Sequence, residues 1–230
     1  MARTAALKKV VEPESTVSLT IKPLRVSRLA VEIHNCIGSP LVLHRFSQKM
    51  REKMLATMIA GSTARSSRKR ESKNLEEEFN QARYISAEGW DGIPAGAFRA
   101  AMVSACRAAG YKMTHAKLAV WIRPDGEDQY DGTPLVRIVE GAPEPWVAPV
   151  RVQQSADIHV RPMWKRWAAR LTIEFDRDLL SSSDVLNLLS RAGLQVGIGE
   201  GRPDSRSSTG LGFGRFEINP ENVVLIEEGQ

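Results

Sequence analysis

Apolar and polar residues alternate along Val17–Ile21, with Val17, Leu19 and Ile21 set against Ser18 and Thr20, and again along Leu29–Ile33. A period of two sends successive side chains to opposite faces, so both segments predict strands with one buried face, or one long strand bent near Pro23. The alternation then stops. Phe46–Ile59 suits a short amphipathic helix, Gly61–Lys73 is small, polar and basic and predicts a mobile loop, and Asn74–Ala82 is acidic and adds a helical turn. We read 35–92 as a partly flexible, basic insertion between the first strand and the first core helix, within a single domain spanning 1–230.

That helix opens at Ile93-Pro94, where a proline lacks only an N–H that a helix start leaves unused. Phe98, Ala101, Met102, Ala105 and Ala109 form its apolar stripe, and Gly110 ends it. Lys117–Ile122 and Leu135–Val139 predict two strands, separated by the turn signal Arg123-Pro-Asp-Gly126. Gly141–Pro149 holds three prolines and predicts an extended loop, and Val150–Val160 fits a strand or an irregular crossover. Ala169–Phe175 alternates cleanly. Ser183 caps a second helix, Asp184 suits its first turn, Val185, Leu188, Leu189 and Ala192 face the core, and Gly193 stops it. Leu194–Ile198 and Phe213–Ile218 close the chain as strands around a glycine-rich loop. The order is that of an α+β, ferredoxin-like β-α-β-β-α-β core, a plan that hosts many functions and selects none of them.

Composition narrows the class. With 230 residues, 42% of them hydrophobic, the chain can bury a substantial core. No apolar run approaches the roughly 18 residues of a membrane span, and the basic N-terminus lacks an apolar signal core, so no membrane is expected and the reading is cytoplasmic. Cys36 and Cys106 stand too far apart to suggest a disulfide framework, and His34, His44, His115 and His159 show no metal-ligand spacing; neither a metal nor a cofactor is expected. The net charge of +5 is unevenly spread: residues 1–83 carry 16 Lys/Arg against 8 Asp/Glu, whereas the remainder carries 16 against 19. Basic residues are densest from Arg45 to Lys73, a composition that attracts polyanions through counterion release, and equally suits a solvated loop.

The most specific segment is Val196–Ile218, with Gly197, Gly199, Gly201, Gly210, Gly212 and Gly214 interleaved with Arg202, Arg206 and Arg215. Such glycines let backbone approach a ligand, exposed N–H groups form anion nests, and arginines add bidentate phosphate contacts. A long Gly-rich β-hairpin explains the same glycines. Neither a dinucleotide fingerprint nor a Walker loop is present. Trp164 and Trp167, beside Arg161, are either base-stacking candidates or core residues.

The Gly210-Leu-Gly-Phe-Gly-Arg-Phe216 stretch resembles the glycine-rich loop of the RAMP superfamily, the repeat-associated proteins of CRISPR effector complexes, and above all the backbone subunits that line the guide RNA. Ile93-Pro-Ala-Gly-Ala-Phe-Arg-Ala100 is similar to the segment that opens the first helix in those subunits, although Ala95 and Ala97 stand where the family has small polar residues. The chain is also similar in general character to phage-encoded proteins, a likeness that implies no activity. The RAMP resemblance implies nucleic-acid backbone contacts by Arg99, Arg202, Arg206 and Arg215 together with Gly210, Gly212 and Gly214, and a strand covered by Arg65, Arg68, Lys69, Arg70 and Lys73 of the insertion. It implies RNA ahead of DNA, bound without sequence preference, and copies assembled head to tail along one strand or within a larger ribonucleoprotein. Some family members cut RNA. No aspartate occurs between residues 1 and 90, so the family's aspartate-and-metal cleavage is not expected, and His34 or His44 remain as candidates for histidine-based cleavage. A binding protein without catalysis is the primary expectation; an endonuclease, or an assembly subunit without nucleic acid, are the alternatives.

Overall fold

The structure is a computed structural model, and it describes residues 21–46, 48–60, 74–152, 155–205 and 210–226. The strand expected at Val17–Ile21 therefore falls almost wholly outside the described residues, as do Arg65, Arg68, Lys69, Arg70, Lys73 and Arg206.

The larger sheet is organised around β1 (Val26–Asn35), whose Leu29, Val31 and Ile33 are buried in alternation. It pairs antiparallel with β10 (Phe216–Ile226) on one side and with β9 (Ala168–Asp176) on the other. The far edge of β9 takes two short strands end to end, β4 (Val120–Arg123) against Thr172–Phe175 and β6 (Pro134–Glu140) against Ala168–Ala169. Small strands β3 (Gly92–Pro94) and β5 (Gly126–Glu127) pair antiparallel with β6. The helices α3 (Ala95–Ala109) and α5 (Ser182–Arg191) close over one face, joining Phe98, Met102, Val185 and Leu189 to Val31, Leu171 and Phe175 in one core. A second sheet, ordered β2 (Leu41–Val42), β8 (Ser155–Trp164) and β7 (Glu144–Val152), stands beside it. Among the described residues no helix is long and apolar enough to cross a membrane.

Several elements differ from the expectation. Residues 113–119 form a helix, α4 (Met113–Ala119), not the start of a strand: Ala116 and Ala119, three apart, are both buried, and alternation begins only at Val120. The proline-rich Gly141–Pro149 contributes most of β7, which is possible because β7 is an edge strand and its prolines need not donate to a neighbour. Leu194–Ile198 continues the second helix as a π-helical turn, Ala192–Val196, in place of a strand. Gly193 sits within that turn and ends nothing: a Cβ there would strike the carbonyl of Phe216. The cap of α5 is Ser181, two residues before Ser183, and reciprocal bonds with Asp184 complete a capping box. On α3 the buried stripe takes in Val103 and Cys106, while Ala109 is exposed. In the insertion, α1 (Gln48–Ala60) and α2 (Leu75–Gln81) are helical, but Met54, Leu55, Met58 and Ile59 of α1 are exposed, so among the described side chains of α1 none forms a buried apolar face.

Candidate nucleic-acid interface

The glycine-rich segment is stitched to the strand that opens the insertion. Glu200 donates its N–H to the Val42 carbonyl at 2.9 Å, Gly214 to that of Pro40 at 2.8 Å, and the Ser39 hydroxyl donates to the Gly212 carbonyl while accepting from the Arg215 N–H at 2.8 Å. Two glycines are demanded by this packing. Gly199 and Gly214 have φ of 74° and 65°, and a Cβ would meet the carbonyl of Val42 at the first and of Ile198 at the second. Residues 199–200 and 212–215 of the loop are thereby fixed as a wall against the start of the insertion.

Facing that wall is the first half of α3. Ala97, Ala100, Ala101 and Ser104 on the helix, with Val196–Gly199, Arg202 and Asp204 on the loop, line a groove of about 310 Å³. The start of α3 and the first part of the glycine-rich segment thus meet along one groove, although about a hundred residues separate them, whereas Gly210–Phe216 contributes no lining residue. Its alanine floor leaves room for a ligand, and its polar groups gather at one end. The Ser104 hydroxyl donates to Asp204 Oδ2 at 2.5 Å, Arg107 ion-pairs with the same oxygen and donates to Ser104 Oγ at 2.7 Å, and Arg202 donates to the Gly199 carbonyl at 3.1 Å. The Ser104 and Arg107 bonds hold the Asp204 carboxyl below its ordinary pKa, against a smaller opposing effect of burial, and keep it ionised at neutral pH.

Of the expected contacts, Arg202 lines this groove. Arg99 points the other way, donating to the carbonyls of Val120 and Lys117 beside the Trp121 ring. Arg215 donates through Nε to the Leu194 carbonyl at 3.1 Å and is not among the lining residues. Gly210 and Gly212 have open space where a Cβ would stand, whereas Gly214 is a packing glycine. Trp164 and Trp167 are both 0% exposed and belong to the core, so neither presents a face to a base; they lie where the chain passes from β8 to β9. The aromatic pair beside the loop is Trp146 and Phe213, edge to face at 5.6 Å and partly exposed. Ser104, Arg107 and Asp204 were not selected in the sequence. The available signal was the polar pair Ser104 and Arg107 at helical spacing, i and i+3, on an α3 whose other charged residue is Arg99.

No family model matches the chain, and no curated protein matches it. Among solved structures it is similar to one described as the cryo-EM structure of the Type III-B Cmr-beta bound to cognate target RNA, at 12% identity and a TM-score of 0.49, over 88% of this chain and 61% of that one. This chain thus spans about three fifths of the neighbour's length.

The two histidines have different surroundings. His34 is exposed on β1, opposite Glu217 and Ala168. His44 lines a second cavity, of about 180 Å³, with His159, Arg161, Arg45 and Glu78. Crowding by the surrounding protein, and then the charge of Arg161, lower its pKa from the ordinary histidine value. Arg161 is itself held by Glu200 at 3.1 Å, at the edge of the glycine-rich loop. The acidic residues of the 125–131 turn are taken up by protein donors: Asp125 by the Arg137 N–H, Asp128 by the N–H groups of Ile85 and Tyr130, and Asp131 by Arg51 and Thr133.

Proposed function

We propose that this chain binds the sugar–phosphate backbone of a single-stranded nucleic acid without sequence preference, as a subunit of a larger assembly along the strand. The observation that carries the reading is the groove between α3 and the glycine-rich loop. It joins small residues, glycine backbone and arginine, which is the combination that admits and neutralises a phosphate chain. Its volume, near the lower end of the roughly 300–1,000 Å³ of ligand sites, suits one backbone unit and not a duplex. Strand order supports the ferredoxin-like, RAMP-like assignment: β10, β1, β9, then β4 with β6, under α3 and α5, follows the β-α-β-β-α-β plan. On the open face of that sheet part of the charge is already engaged: Arg28 bonds Glu174 at 2.8 Å, Arg123 lies 3.9 Å from the same carboxylate, and Asn222 donates to Glu32. Trp146 and Phe213, partly exposed beside the loop, would supply stacking surfaces for bases.

Binding of the purified protein to labelled single-stranded RNA, single-stranded DNA and duplex DNA, at low and moderate salt with particle size followed in parallel, tests this. Salt-sensitive binding to a single strand, weakened by Arg202→Ala and accompanied by growth in size, is the expected result. Failure to bind any of the three at low salt overturns it; an oligomer without excess absorbance at 260 nm then favours an assembly role free of nucleic acid.

His44 and His159 on one cavity favour a second activity, strand cleavage with His44 as the acid–base group. His44→Ala separates the two: binding at the groove persists and any cleavage disappears.

A further inference from the structure

Asp204 is out of place in a groove meant only for phosphate. It is ionised, it lines the cavity beside Arg202, and a carboxylate repels the anions that the groove is proposed to hold. Its two neighbours, Ser104 and Arg107, both bond Oδ2, and among the described residues no donor reaches Oδ1. What Asp204 offers a ligand is therefore an oriented, negatively charged acceptor. In the interior of a DNA strand the sugar–phosphate backbone carries no hydrogen-bond donor. In RNA it carries one per nucleotide, the ribose 2′-hydroxyl, which is the group that lets a protein tell the two polymers apart.

We infer that Asp204, positioned by Ser104 and Arg107, accepts a hydrogen bond from a ribose 2′-hydroxyl and makes the groove selective for RNA over DNA. The inference rests on the groove being the backbone-binding site and adds the sugar that the site takes. Arg107 has a part in both halves of the device. It offsets enough of the carboxylate's charge for a phosphate to pass nearby, and it fixes the oxygen that is not used for recognition. Ser104 does the second of these without charge.

The test is the affinity of the full chain for three short oligonucleotides of one sequence: RNA, DNA, and RNA with 2′-fluoro sugars, which keeps the RNA-like pucker and removes the donor. A hydrogen bond to a charged group predicts that wild type binds RNA about tenfold more tightly than either of the others. Asp204→Ala brings the three affinities together by weakening RNA alone, with DNA unchanged or tighter because a repulsive charge has gone. Asp204→Asn, nearly isosteric, serves as the second variant, with intermediate discrimination and the fold checked by thermal melting. Equal binding of RNA and 2′-fluoro RNA by wild type, or a preference that survives in both variants, overturns the inference while leaving the backbone-binding reading in place. Absence of binding to all three oligonucleotides sinks both.

Discussion

At Gly214 a single missing methyl group decides whether the loop closes. With φ at 65° and the Ile198 carbonyl where a Cβ would be, Gly214→Ala combines left-handed backbone strain with a backbone clash. Gly210 has a similar φ of 75° but open space around it. Gly210→Ala is expected to cost about 1–2 kcal/mol from the backbone alone, and Gly214→Ala a further 1–3 kcal/mol or so from overpacking; paired thermal melts check the difference. His44 supplies a pH prediction. Because the folded state holds its pKa below the ordinary histidine value, the unfolded chain binds the proton more readily. Stability is therefore expected to fall as pH drops through and below about 6.5, and melting curves across that window should flatten in His44→Gln. The regular recurrence of glycine was legible in the sequence. Which glycines serve packing was not, since their partners, Val42, Ile198 and Phe216, are set by tertiary structure. For Trp164 and Trp167 the sequence left two readings open for the same reason: an aromatic beside arginines reads alike whether it faces the core or the solvent.

Elements were legible where one period held and failed where two overlapped. β1, α3 and β9 each keep a single period over their length, and the structure follows it. At 113–123 a helical spacing of alanines runs directly into strand alternation, so the strand was placed early by a few residues. β7 was missed because proline argues against a strand in general, although it is tolerated at an edge. The cap of α5 had a usable signal. Ser181, Ser182 and Ser183 all qualify by type, but only Ser181 stands three residues before Asp184, as a capping box requires. Ser181→Ala is expected to destabilise the protein by about 1 kcal/mol. The same change should release the Asp184 carboxyl, now held below its ordinary pKa first by the Ser181 hydroxyl and then by its N–H. A depressed carboxylate stabilises the fold above its unfolded-state pKa and loses that contribution as pH falls through the folded value. An NMR titration of Asp184 in the variant should therefore show its midpoint rising, and the acid limb of the stability profile should become shallower.

For the whole molecule, charge and shape divide the work of binding. The body pairs several of its arginines internally: Arg45 with Asp128, Arg83 with Asp91, Arg107 with Asp204 and Arg161 with Glu200. Residues 61–73 hold Arg65, Arg68, Lys69, Arg70 and Lys73 against Glu71, a net +4 of the chain's +5. Long-range attraction for a polyanion is therefore concentrated in that segment, while the groove supplies short-range fit. These contributions respond differently to salt. Replacing the five basic residues with serine should weaken binding to every single strand alike, and lower the slope of log affinity against log salt by about 0.7 for each phosphate no longer neutralised. Arg202→Ala should lower the slope by about one such step, and Asp204→Ala should leave it nearly unchanged while altering the preference between RNA and DNA. A salt series on the three variants reads all of this. If the serine variant kept the wild-type slope, the attraction would have to come from the body, and its paired arginines would then need to exchange their carboxylates for phosphates on binding.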